Sequence, residues 1–99
     1  MKLPTEGDIN HIAYNLYYSQ QIDRAIQVIE WALEMYPDDV NLYDSMGEFQ
    51  QSNKNNEQAK AFYQKGLAVI DRQKSQLDSA AYTSLKSGFE KRLQKLAGQ

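Results

Sequence analysis

The sequence predicts an all-α fold of five helices: two helix–turn–helix repeats closed by a C-terminal amphipathic helix. Three observations carry this expectation. First, shifting the chain by 34 residues brings small residues onto small ones: Ala13 onto Gly47, Ala25 onto Ala59 and Ala32 onto Gly66. Second, large residues coincide at the same offset, Ile9 with Tyr43, Ile12 with Met46, Val28 with Phe62, Ile29 with Tyr63 and Leu33 with Leu67. Third, Leu77, Ala81, Leu85, Phe89, Leu93 and Leu96 recur at spacings of four or three, the apolar stripe of one helix. Generic amphipathic helices repeat at three or four residues, so an offset of 34 marks a repeated supersecondary unit. The small positions carry the physics. Two helices approach closely only where the crossing lacks bulk, and flanking large residues then fill the space.

The first helix runs from about Thr5 to Ser19. Thr5 suits an N-cap, with Asp8 three residues on as an imperfect capping box. The second runs from about Ile22 to Met35 and stops ahead of Pro37, which disfavours a helical residue before it. The third begins near Asp39 and reaches about Ser52. The fourth follows the turn-rich Asn53-Lys54-Asn55-Asn56 and continues to about Lys74, outlasting the second because no proline closes it. The fifth spans Leu77 to Leu96, with Lys86, Lys91, Arg92 and Lys95 on its other faces. A helical array exposes an apolar end, and a polar-backed helix is the cap it requires. The whole chain, 1–99, reads as one domain: repeat one over 6–39, repeat two over 40–73 and the capping helix over 77–97.

Composition narrows the function classes. The chain has no cysteine, which excludes disulfides and thiolate metal sites. No stretch approaches the roughly 18 apolar residues that span a bilayer. Met1-Lys2-Leu3-Pro4-Thr5 lacks the apolar core of a signal peptide. The expectation is a soluble chain without membrane contact, cytoplasmic by default unless it is a piece of a secreted protein. Residues 1–50 carry two basic side chains against nine acidic ones, and residues 51–99 carry nine against four. Phosphate binding needs a continuous basic face. The acidic first half therefore disfavours nucleic acid, and only the basic C-terminal half keeps it open. The opposed poles are explained by solvated helix faces, or by self-association of copies.

The 34-residue pattern resembles the tetratricopeptide repeat, a helix–turn–helix unit with small residues at three set places and a closing proline. The first repeat matches at Ile12-Ala13, Leu16, Ala25, Ile29, Ala32 and Pro37, and the second at Tyr43, Met46-Gly47, Ala59, Tyr63 and Gly66. The resemblance covers residues 6–73. Ile9 departs from it where an aromatic is usual, Gln50 where an apolar residue is preferred, and Asp71 where the closing proline would stand. Pro4-Thr5-Glu6 through Asn10, followed by Leu42-Tyr43-Asp44-Ser45-Met46-Gly47-Glu48, is further similar to repeat modules appended to the C-termini of bacterial secreted esterases and β-lactamase-like serine hydrolases.

The resemblance implies a concave groove lined by the first helix of each pair. Carried over residue by residue, its lining is Asn10, Tyr14 and Tyr17 from the first repeat and Asn41, Asp44, Glu48 and Gln51 from the second. That groove is acidic and bears tyrosines, which offer rigid area plus a hydroxyl. One subclass of the family grips a C-terminal carboxylate with lysines and asparagines. Asp44 and Glu48 would repel a carboxylate, so the implied partner is a basic or neutral peptide, or a neighbouring domain. The alternative is a structural role in which the chain pairs with itself as a homodimer. Tyr43 and Tyr63 read as core. Tyr14, Tyr17 and Tyr18 divide between contact residues and ordinary surface aromatics. Asp44 and Glu48 share one helix face, which is also how a plainly solvated face looks.

Nothing here assembles a catalytic set. His11 is the only histidine and has no nucleophile or carboxylate arranged with it, so it reads as a helix-surface or packing residue. Ser45 lacks the flanking glycines and strand-to-helix turn of a nucleophile. Asp38-Asp39 reads as an acidic helix start rather than a metal site. There is no phosphate-binding glycine loop. The expectation is a binding module with no cofactor and no metal, not an enzyme.

Overall fold

The computed structural model describes residues 5–98. Lys2 of the charge pattern and Pro4 of the N-terminal motif lie outside them. Among the described residues the architecture is all-α, in five helices: α1 (Glu6–Tyr18), α2 (Ile22–Met35), α3 (Val40–Ser52), α4 (Asn56–Arg72) and α5 (Ser79–Ala97), with a 3-10 turn at Lys74–Gln76. Each helix packs on the next in sequence. The Cα extents are 42 × 35 × 18 Å, and the shortest is the thickness of two helix layers. α1 also packs on α3, and Arg92 of α5 reaches Asp44 of α3, so α1, α3 and α5 share one layer.

Local chemistry sets the boundaries. At α1 the Thr5 hydroxyl accepts from Asp8 N at 3.1 Å while Thr5 N donates to Asp8 Oδ2 at 3.2 Å, so the capping box is complete. Asp39 caps α3, accepting from Asn41 N at 2.9 Å and Leu42 N at 3.3 Å. Asp78 caps α5 through Ala81 N at 2.7 Å. That cap starts α5 at Ser79, so Leu77 lies before the helix, in extended backbone, rather than opening it as its spacing implied. α4 ends at Arg72, two residues short of the expected Lys74, yet at 17 residues it does outlast the 14 of α2.

The turns within each helix pair close in one way. Gln21 N donates to Leu16 O at 2.9 Å and Gln20 N to Tyr17 O at 3.1 Å; Asn55 N donates to Gln50 O at 2.8 Å and Lys54 N to Gln51 O at 3.0 Å. This is the Schellman pattern, and its left-handed residue is Gln20 (φ 68°) in the first turn and Lys54 (φ 62°) in the second. The second set lies 34 positions after the first, the offset found in the sequence.

Two apolar clusters hold the layers together. One joins α1, α2 and α3 through Ile9, Ala13, Ala25, Ile26, Ile29, Ala32, Leu42, Met46 and Phe49; the other joins α4 to α5 through Ala59, Tyr63, Ile70, Phe89 and Leu96. All six small positions are buried. Gly47 lies under the Tyr63 ring and Gly66 under the Phe89 ring, so both close approaches depend on the missing Cβ. Gln50, at an apolar position of the repeat pattern, is buried but satisfied: its Oε1 accepts from Asn55 Nδ2 at 2.9 Å and its amide reaches Met46 Sδ at 3.7 Å. Tyr63 is inside as expected. Tyr43 is only half-buried, because its hydroxyl reaches out to the Pro37 carbonyl at 2.7 Å.

Because the Asp39 carboxylate accepts from Asn41 N and Leu42 N at the start of α3, Asp39→Ala should cost about 0.5–2 kcal/mol of stability, read from urea denaturation. Burial pushes the Asp39 carboxyl above its ordinary value, against the two backbone bonds. A neutral cap should therefore serve, and Asp39→Asn should lose much less than Asp39→Ala.

Candidate binding face

The residues expected to line a groove lie on the layer formed by α1, α3 and α5; Tyr14 and Glu48 bond to each other, while Asn10, Tyr17 and Asp44 bond to residues outside the expected set. Going along α1, Asn10 Oδ1 accepts from the buried Ser45 hydroxyl at 2.6 Å. One turn on, the Tyr14 hydroxyl donates to Glu48 Oε2 at 2.5 Å. A further turn on, the Tyr17 hydroxyl and Ser52 Oγ lie 2.7 Å apart. The result is a polar ladder between α1 and α3. α5 adds one more rung, since Arg92 Nε donates to Asp44 Oδ1 at 2.8 Å. Asn41 is exposed and Gln51 half-buried, and neither side chain takes a rung.

Rings pack beside the ladder. Tyr17 stacks on Phe49 at 4.9 Å between centroids and 24° between planes, and Tyr14 meets Phe49 edge-on at 5.0 Å. Tyr18 leans on Tyr14 at 5.9 Å and on Tyr17 at 5.3 Å, yet is 71% exposed. Three tyrosines one, three and four residues apart at the end of α1 thus form a platform, fixed below by Phe49 and open above through Tyr18.

The electrostatics are uneven. Burial pushes the Asp44 carboxyl above its ordinary value; Arg92 opposes this and Glu48 adds to it. Burial, then the bond to Glu48, raises the Tyr14 hydroxyl far above the usual phenol, so it stays a neutral donor. Tyr63 beneath is pushed up to about 12, by burial first and by Asp44 next. Asp44 therefore has a cation. Glu48 has only a neutral hydroxyl, and among the described residues no cation stands within ion-pair distance of it.

Sequence reasoning missed Arg92 as a member of this face, because it comes from the capping helix. It missed the serines of the ladder as well: Ser45 and Ser52 lie 35 positions after Asn10 and Tyr17, one off the repeat offset that joins Tyr14 to Glu48. His11 is exposed on α1. Among the described residues no group of three His, Cys, Asp or Glu side chains could hold a metal ion, and no helix is long and apolar enough to cross a membrane. Surface clefts open elsewhere. One of about 440 Å³ lies between α4 and α5, beside Glu57, Lys60, Gln64 and Leu93, and shares no residue with the ladder. Compared with known protein families, with curated proteins and with solved structures, the chain matches none.

Proposed function

We propose that the chain is a non-catalytic, tetratricopeptide-type interaction module that holds a basic or neutral polypeptide segment on the α1–α3–α5 face. The observation that supports this reading best is the half-buried Glu48 carboxylate, without a cation of its own, beside the platform of Tyr14, Tyr17 and Tyr18. A lysine or arginine side chain entering there gains a counter-ion and a ring face together. The ladder favours binding for a second reason. It holds the tyrosines in place before a partner arrives, so little rotamer entropy is lost on contact.

The test is selection from a random-peptide display library on the immobilised chain. Enriched peptides should carry lysine or arginine and lack acidic clusters. Glu48→Gln should weaken them about tenfold, the scale of one lost charge-assisted contact. Tyr18→Ala should weaken them as well while leaving the fold unchanged, because that ring is mostly outside. Alanine at Tyr14 or Tyr17 is a poor probe, since both rings pack on the buried Phe49. Selection of acidic peptides, or binding indifferent to both changes, would overturn the reading.

A further inference from the structure

The first helix pair carries an apolar face that its counterpart in the second pair keeps covered. Ile12 is 50% exposed, whereas Met46, 34 positions later, is fully buried beneath the first pair. Leu16, one turn after Ile12 on the same side of α1, is half-buried, and its counterpart Gln50 is buried. Leu16 also lines an apolar cleft of about 500 Å³ with Arg24, Gln27, Val28 and Trp31 of α2. Trp31 is 50% exposed. Apart from Tyr18 on the ring platform, Ile12 and Trp31 are the large apolar side chains left open among the described residues. The opposite end is unlike this. The outer side of α5 offers Gly88, Lys91, Gln94 and Lys95, with no large apolar residue exposed.

We propose that two copies of the chain pair through this α1–α2 face about a twofold axis, Trp31 and Ile12 of each entering the Leu16–Val28 cleft of the other. Both partners must supply apolar area for a stable contact, and the large apolar side chains left open away from the ring platform, Ile12 and Trp31, are both at this end. A head-to-tail stack would set Trp31 on the lysines of α5 and bury apolar surface on one side alone. Local charge fits the twofold arrangement. Arg24 in the cleft bonds only to the neutral Gln21 Oε1 at 3.1 Å, and no described carboxylate lies within ion-pair distance. Glu30 and Glu34 flank Trp31 on α2, so each Arg24 finds acceptors on the other copy. An isologous contact of this kind closes at two copies. It uses a different surface from the peptide-binding face and does not depend on that reading.

The test is sedimentation equilibrium of the whole chain across micromolar to millimolar concentration, with the emission of Trp31, the only tryptophan, followed in parallel. The expected result is a monomer–dimer equilibrium with emission shifting blue as dimer forms. High salt should leave it largely intact, because the apolar contact is not screened and only the flanking Arg24 contacts are. Trp31→Asp and Ile12→Asp should each weaken the dimer by on the order of tenfold or more. Both positions are half outside, so circular dichroism should be unchanged. Lys91→Ala with Lys95→Ala should have no effect. A monomer with constant emission throughout would overturn the proposal. So would assembly that ignores Trp31→Asp, or assembly that grows beyond two copies and dissolves in salt or on loss of the two lysines.

Discussion

Replacing Phe49 by alanine should cost about 3–5 kcal/mol of folding stability. Phe49 is among the largest side chains with no solvent exposure at all. Its removal takes away a full aromatic transfer free energy and leaves a cavity that α1 cannot fill, because the small residues at the crossings already bring the backbones close. The loss extends beyond one side chain. Tyr17 stacks on Phe49 and Tyr14 meets it edge-on, so both lose the surface that orients them. A domain of this size holds about 5–15 kcal/mol in total. The variant therefore gives up a large share of it, and its urea midpoint should fall accordingly with the slope unchanged. Phe49→Leu fills part of the cavity and should cost clearly less. A cost for Phe49→Ala below about 1 kcal/mol, the level of an ordinary surface change, would mean that the ring stack does not anchor the first cluster.

The same residue shows where the sequence was not legible. Its burial was not among the sequence expectations, and its partnership with two tyrosines on α1 needs the fold. Helix starts and stops were readable because they are local: Thr5 and Asp8 bond within one turn, and Pro37 lies just past the end of α2. The misplaced edges are also local, but of a weaker kind. Leu77 continues the apolar spacing of α5, and spacing alone cannot tell a helical residue from the one ahead of an N-cap; Asp78 settles it by bonding Ala81 N. The end of α4 has no proline or glycine stop, and the chain leaves it through a 3-10 turn that no residue type announces.

The face divides in the same manner. The resemblance to the repeat family implied a common side for Asn10, Tyr14, Asp44 and Glu48, and helical spacing by itself only joined Asp44 to Glu48. They did not disclose that Tyr14 and Glu48 bond to each other, nor that Arg92 neutralises Asp44 and leaves Glu48 alone. Those pairings join helices distant in sequence, and they decide the chemistry. An acidic groove read from composition becomes one compensated carboxylate and one open one.

Gly47→Ala should destabilise the chain by about 1–3 kcal/mol, the reverse of what helix propensity predicts. Within a helix, alanine is favoured over glycine by about 1 kcal/mol. Gly47 sits mid-α3, so a solvent-facing glycine there would make the change stabilising. Sterics decide otherwise. A Cβ at position 47 would stand 2.3 Å from Tyr63 Cε1 and 2.5 Å from its Cζ, closer than any two carbon atoms can pack. The ring cannot swing aside freely, because Tyr63 is itself buried and meets Phe89 edge-on at 6.0 Å. Either α3 and α4 move apart or the ring leaves its rotamer, and both disturb the second cluster. A double-mutant cycle isolates the cause. In a Tyr63→Ala background the clash is gone, and Gly47→Ala should become neutral or stabilising by its propensity alone. The sign of one substitution thus depends on a ring in the next helix. An equal cost in both backgrounds would show that the glycine serves α3 itself rather than its crossing with α4.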